Sequence, residues 1–300
     1  MATQVSYVKA DGVNVFYRHA GDPSAPTVLL LHGFPSSSHM FRNLIPILAG
    51  LGYRVIAPDL PSFGFTDVPA ERAYAYTFAS LADTLAAFVA ALDLGRYAVY
   101  IFDYGAPVGL RLAANTTTSP PSSRAAVAAI VSQNGNAYAE GLDAPFWDPL
   151  KQYWASGAAR DRDALRPALE MATTRAQYEV GSPRPAAVPP ESYWLDQALM
   201  DLRPGNNNKD VQLDLLYDYR TNLALYPRFQ EYLRESRVPV LAAWGRNDFI
   251  FPPAGAEAFA RDVERFELKW LDAGHFALET NEREMAGYMH EFFQKYKVFE

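Results

Sequence analysis

Ile101-Phe102-Asp103-Tyr104-Gly105-Ala106-Pro107-Val108-Gly109 decides the reading of this chain. The residues before Asp103, 97–102, form a short apolar run of β-favouring type. Those after it, 106–114, read as a helix, with Pro107 tolerated because it falls in the first turn. Asp103 therefore stands on a tight strand-to-helix turn that Gly105 makes possible. Such a turn exposes a side chain at the carboxyl edge of a sheet, where open α/β folds bind ligands. The helix start places partial positive charge beside the carboxylate and is expected to keep it ionised. An ionised carboxylate can attack carbon and form an ester. An Asp at this place is also an ordinary helix N-cap, so its role depends on the rest of the chain.

Working outward, residues 5–8 and 13–18 read as strands joined by an Asp11-Gly12 turn. A buried strand at 27–31 runs into His32-Gly33-Phe34-Pro35, and 40–48 has helical spacing that stops at Gly50 and Gly52. Strand 54–57 enters a Pro- and Gly-rich loop, 58–69, and 78–92 is a strongly periodic helix before Gly95. Beyond Asp103, strands are expected at 126–132, 238–243 and 266–271, with helices at 255–263 and 282–293. Strand alternating with helix predicts an α/β fold with a mainly parallel sheet and helices on both faces. Residues 136–225 break that rhythm, being rich in Trp, Tyr, Pro and Arg with no buried-strand run. They are expected to form a helical cap inserted into a core of residues 1–135 and 226–300. Aromatics such as Phe146, Trp147, Tyr193 and Trp194 argue against a disordered linker. Residues 181–190, GSPRPAAVPP, are expected to be loop.

The bulk composition excludes several chemistries. A net charge of -7 without a basic run disfavours nucleic acid, which needs clustered Lys and Arg. With no cysteine, disulfides, thiolate metal sites and a Cys nucleophile are ruled out. No apolar run approaches the roughly 20 residues of a membrane span, and the first residues lack a signal-peptide pattern. A cytoplasmic location is the resulting expectation.

Further along, GRNDFIFPP (245–253) and DAGHFALE (272–279) supply Asp248 and His275, each after an expected strand. His275 is the base candidate, since imidazole can take a proton from water near neutral pH. Asp248 can accept the second ring N–H and stabilise the imidazolium, while Glu140 and Asp143, after strand 126–132, compete for that task. Singly, His19, His32, His39 and His290 read as structural or surface residues. The serine turn G-x-S-x-G is missing from the chain, and Ser36, Ser37 and Ser38 sit at the wrong place for it. Nucleophile, acid, then histidine is the chain order of the α/β-hydrolase fold.

The segments His32-Gly33-Phe34-Pro35, Phe102-Asp103-Tyr104-Gly105 and Asp272-Ala273-Gly274-His275 resemble the epoxide hydrolase and haloalkane dehalogenase branch of the α/β-hydrolase superfamily. The likeness covers almost the whole chain and is weakest in the cap. It implies that Asp103 forms an alkyl-enzyme ester with a small apolar organic substrate. His275, oriented by Asp248, would then activate water to hydrolyse the ester. Backbone N–H groups of Phe34 and Tyr104 would form the oxyanion hole. The resemblance implies no metal or organic cofactor.

Epoxide hydrolases resemble one another in a pair of cap tyrosines that donate to the epoxide oxygen; Tyr219 and Tyr153 are the matching candidates here. A buried Tyr usually finds a hydroxyl partner for packing reasons alone. Dehalogenases need N–H donors for the leaving halide, and Trp154 is the candidate. Tyr104 stands where both groups usually have Trp, and Ile101 where epoxide hydrolases often have Gly. Tyr104 and Pro107 occupy the places at which fluoroacetate-type enzymes hold a carboxylate with Arg. The leading expectation is an epoxide hydrolase, with a haloalkane or haloacid dehalogenase second. A ligand-binding protein without turnover comes third, since a fold does not fix a function.

Overall fold

Apolar runs pair into an 8-stranded sheet in the order β1-β2-β4-β3-β5-β6-β7-β8. A computed structural model describes residues 2–116, 126–202 and 208–300. Residue 1 and residues 117–125, assigned above to the core, and 203–207, assigned to the cap, lie outside the described residues. The strands are β1 (Gln4–Ala10), β2 (Val13–Ala20), β3 (Thr27–Leu31), β4 (Arg54–Pro58), β5 (Arg96–Phe102), β6 (Ala126–Gln133), β7 (Val240–Gly245) and β8 (Phe266–Leu271). Antiparallel pairing joins β1 to β2 and β2 to β4, and the remaining pairs are parallel. The expected α/β architecture is present.

The helices are α1 (Leu44–Gly50), α2 (Phe78–Ala91), α3 (Gly105–Thr116), α4 (Asp148–Ser156), α5 (Ala159–Ala164), α6 (Met171–Glu179), α7 (Pro190–Leu202), α8 (Asn208–Asp218), α9 (Arg220–Ser236), α10 (Pro253–Ala258) and α11 (Leu278–Lys295). Side chains along β5 alternate between two cores, as a strand's period of two requires. Val99 and Ile101 join Leu29, Leu31 and the apolar faces of α2, α3 and α9. Ala98, Tyr100 and Phe102 join Val28, Leu30 and the faces of α1 and α11. The central strands are thus buried on both sides, and the Asp103 turn follows β5, an interior strand paired with β3 and β6.

Local chemistry moves several boundaries. The helix expected at 40–48 is a 3-10 turn, Ser38–Phe41, followed by α1. Pro46 has no N–H to give and so falls in the first turn of α1, not in a helix interior. β7 begins two residues later than the expected 238, because Pro239 offers the sheet only its carbonyl, which accepts from Ile130 at 3.0 Å. The helix expected at 255–263 is α10 plus a 3-10 turn, Phe259–Arg261. α11 starts at Leu278, earlier than expected, with a break in its helical geometry at Asn281.

Between β6 and β7 the chain carries α4–α8 and then returns along α3 through α9. Arg111 of α3 holds that return by donating to Asn222 of α9 at 2.6 Å. On the opposite side, Arg42 donates to both oxygens of Glu279, at 3.0 and 2.6 Å, and to Ser192 of α7 at 2.8 Å. Among the described residues no helix is long and apolar enough to cross a membrane.

Candidate active site

The turn from β5 into α3 is strained at Asp103, whose φ of 48° lies in the left-handed region that non-glycine residues rarely occupy. Its carbonyl accepts from Ala106 at 2.9 Å, closing the turn. Close approach of the neighbouring chain explains the glycines on either side. A Cβ on Gly105 would lie 2.4 Å from the Leu31 carbonyl oxygen, and one on Gly33 would lie 2.3 Å from Asp103 Oδ1. With no side chain at Gly33, the backbone after β3 reaches the carboxylate. Phe34 N–H donates to Asp103 Oδ1 at 2.6 Å, and Tyr104 N–H also donates to the carboxylate.

The loop after β8 brings His275, fully buried, to the same place. Its Nδ1–H donates to Asp248 Oδ2 at 2.8 Å, and its Nε2 lies 4.0 Å from Asp103 Oδ2 with no protein hydrogen-bond partner. The turn after β7 positions Asp248, whose Oδ1 accepts Ile250 N–H at 2.7 Å. Asp103, Asp248 and His275 therefore meet. Glu140 instead pairs with Arg261 at the surface, and Asp143 is exposed.

Sequence reading missed Asn134. It follows β6 directly, in the left-handed conformation that Asn tolerates. Its Nδ2 donates to Asp248 Oδ2 at 2.6 Å, while its Oδ1 accepts from Gly245 N–H at 3.0 Å and from Gln133 at 2.8 Å. Gln133 also donates to the His275 carbonyl at 2.9 Å. This wholly buried network fixes acid and base to one another. An Asn just after the expected strand 126–132 was the signal available for it.

Burial pushes the Asp103 carboxyl up to about 6, against the pull of nearby His275 and of the Phe34 and Tyr104 N–H groups. The helix start alone thus does not hold Asp103 in the ordinary carboxylate range. Burial works to lower His275, but the charge and hydrogen bond of Asp248, with the charge of Asp103, outweigh it and raise the imidazole above 6.5.

Asp103 opens into a cavity of about 330 Å³ walled chiefly by apolar side chains, among them Phe34, Trp147, Leu150, Leu216 and Ile250. Tyr219 is buried one layer behind it, with its ring centroid 5.9 Å from Tyr104 and 5.0 Å from Trp147, both of which line the cavity. Its hydroxyl bonds that of Tyr226. Tyr153 is not among the lining residues; it packs on Tyr217 at 4.6 Å and turns to Arg162. Trp154 spends its indole N–H on the Leu216 carbonyl at 2.7 Å, as Trp147 does on Ile250 at 2.7 Å. Among the described residues no group of three or more His, Cys, Asp or Glu could hold a metal ion.

A family model described as the alpha/beta hydrolase fold matches residues 26–282. The chain is 50% identical over 274 residues to an uncharacterized hydrolase of Saccharomyces cerevisiae, YNR064C, covering 90% of each. It is 43% identical over 102 residues to a haloalkane dehalogenase of Psychrobacter cryohalolentis, 34% of this chain and 33% of that one. Among solved structures, the haloalkane dehalogenase DbeA of Bradyrhizobium elkani superposes with a TM-score of 0.76 at 19% identity, covering 99% of this chain and 100% of that one. The epoxide hydrolase CorEH does so at 0.74 and 19%, covering 98% and 99%. At such identities the likeness shows the fold alone.

Proposed function

Because this chain belongs to the α/β hydrolase fold family, we propose that it is a hydrolase that forms a covalent ester on Asp103 and that its substrate is a small epoxide. The observation that carries the ester is the division of labour between the oxygens of Asp103. Oδ1 is held by Phe34 N–H at 2.6 Å, and Oδ2 faces the unpartnered Nε2 of His275 at 4.0 Å.

In the first step an Asp103 oxygen bonds the epoxide carbon, the C–O bond breaks, and the alkoxide takes a proton from Tyr219, which reaches the cavity only when the Tyr104 and Trp147 rings in front of it shift. A hydroxyl hydrogen can rotate, so Tyr226 can donate to Tyr219 in turn and share the charge. In the second step His275 removes a proton from water, and the resulting hydroxide adds to the ester carbonyl. Phe34 and Tyr104 N–H groups hold the oxyanion. Collapse frees the diol and restores Asp103, and the proton on His275 returns to the phenolate by way of solvent. The described residues of 136–225 act as the cap over this site, closing it from water with the apolar wall of the cavity.

The bonded state of the indoles supports epoxide over halide, since a ring N–H cannot swing from the carbonyl that holds it to a leaving halide. Dehalogenation is the second reading, favoured by the 43% identity to a haloalkane dehalogenase over 102 residues. Intact-mass measurement of His275→Gln after incubation with epoxides, haloalkanes and haloacids tests both. A gain equal to a whole epoxide supports the first reading. A gain equal to substrate less hydrogen halide moves the function to the second. A folded variant that gains no mass with any of them overturns the ester.

A further inference from the structure

The cavity contains a polar group that the mechanism above does not use. Gln177, on α6, lines it, is 2% exposed, and has no hydrogen-bond partner among the described residues. Its neighbours along the helix are bonded. Thr174 donates to Gln197 at 2.8 Å, and the Tyr178 hydroxyl donates to Asp196. The helix is firmly seated beside the candidate base, with the Tyr178 ring stacked on Phe276 at 3.8 Å. At the end of α6, Val180 O lies where a Cβ on Gly274 would come within 2.0 Å of it. Gln177 is thus held in place by its helix while its amide is left unpaired in an apolar chamber. With no protein partner, that amide is satisfied only by what occupies the cavity, and Leu or Met would fill the same place with no such need.

We propose that Gln177 is a specificity-determining residue that hydrogen-bonds a neutral amide or ester carbonyl of the substrate, a group separate from the electrophilic carbon at Asp103. The amide offers N–H donors and a carbonyl acceptor on one side chain. The ligand group is uncharged because, among the described residues, Asp103 is the one Asp, Glu, Lys, Arg or His lining the cavity. A carboxylate would find no cation there and would meet that negative charge. The substrate class is therefore a bifunctional molecule, largely apolar, with its reacting carbon and a neutral carbonyl apart from each other. The substrate identity rests on the hydrolase reading, but binding by Gln177 does not require any chemistry at Asp103.

Calorimetric titration with phenylacetamide and with ethylbenzene, neither of which reacts, separates the two. Wild type should bind phenylacetamide about tenfold more tightly than Gln177→Leu does, the scale of one well-placed hydrogen bond in a dry site. Ethylbenzene should bind both within about twofold. Thermal unfolding of Gln177→Leu and Gln177→Met should show a Tm no lower than wild type, which a side chain kept for structure would not. Equal affinities for phenylacetamide, parallel losses for both ligands, or no binding of phenylacetamide to wild type overturns the proposal. Since the titration involves no ester, its failure is distinct from failure of the mass measurement on His275→Gln.

Discussion

Asp103→Asn should stabilise the protein at neutral pH while abolishing turnover. Burial raises the carboxyl from its ordinary 3.8 to about 6. These values stand about 2 pH units apart, which at about 1.4 kcal/mol per unit makes the ionised form about 3 kcal/mol costlier in the fold than in the unfolded chain. Asparagine keeps the shape and an acceptor for Phe34 N–H, and the charge-assistance lost from that bond is already contained in the raised carboxyl. The variant should therefore gain about 3 kcal/mol at pH 7. A carboxyl whose pKa is raised by folding binds its proton more tightly in the native state. The penalty is thus absent below pH 3.8, grows as pH rises, and is complete above about 6. Urea unfolding of both proteins at pH 7, 5 and 4 measures the gap. It should shrink steadily as pH falls through that window. A variant less stable than wild type at pH 7, or a gap that ignores pH, would refute the claim that burial of the charge governs this position.

The other predictions concern the surroundings of the pair. Ester formation, followed by rapid-mixing single turnover, should fall with acid through a protonation near pH 6, because protonated Asp103 cannot attack. Asn134→Leu removes the donor to Asp248 and strands Gly245 N–H. It should cost about 2 kcal/mol in urea unfolding and slow ester hydrolysis more than ester formation, so that ester accumulates in intact-mass spectra during turnover. Tyr153→Phe and Trp154→Phe should each keep kcat/KM within about threefold, since both polar groups are engaged away from the cavity; a hundredfold loss would bring them into the site. Arg42→Met leaves Glu279 buried without its cation and should cost about 3 kcal/mol by urea unfolding, most of which a second change, Glu279→Leu, should restore.

The sheet was legible in the sequence because its central strands are buried on both faces, so their apolar runs are unbroken and short. The boundaries that moved did so at Pro46 and Pro239, where a missing N–H changes which residue can join a helix or a ladder. Asp103, Asp248 and His275 could be located from the strand ends that precede them, since strand order converts chain position into spatial position. The helices between β6 and β7 offer no such frame. Which side of α4 faces the cavity is set by tertiary packing, and there Leu150 lines it while Tyr153 turns to Tyr217 and Arg162. Gln177 was invisible for a related reason. A polar residue on a helix reads as solvent-facing until the neighbouring helices are seen to enclose it.

Under the mechanism proposed above, the shared electrostatics of Asp103 and His275 account for how a single histidine can serve after, and not before, the ester forms. In the resting protein each favours the charged form of the other, and Asp248 adds to the hold on the imidazolium. The pull of His275 favours the anionic form of Asp103, against the burial that raises its carboxyl to about 6. Alkylation cancels the charge on Asp103. Of the influences that raise His275, only those of Asp248 then remain, while burial continues to lower it. The hold of His275 on a proton therefore weakens at the stage when water must be activated. A serine nucleophile, neutral before attack, could not deliver that change of charge. The network of Asn134 and Gln133 acquires its meaning here, because the remaining hold on His275 is then exerted through Asp248, the residue whose Oδ2 Asn134 fixes at 2.6 Å.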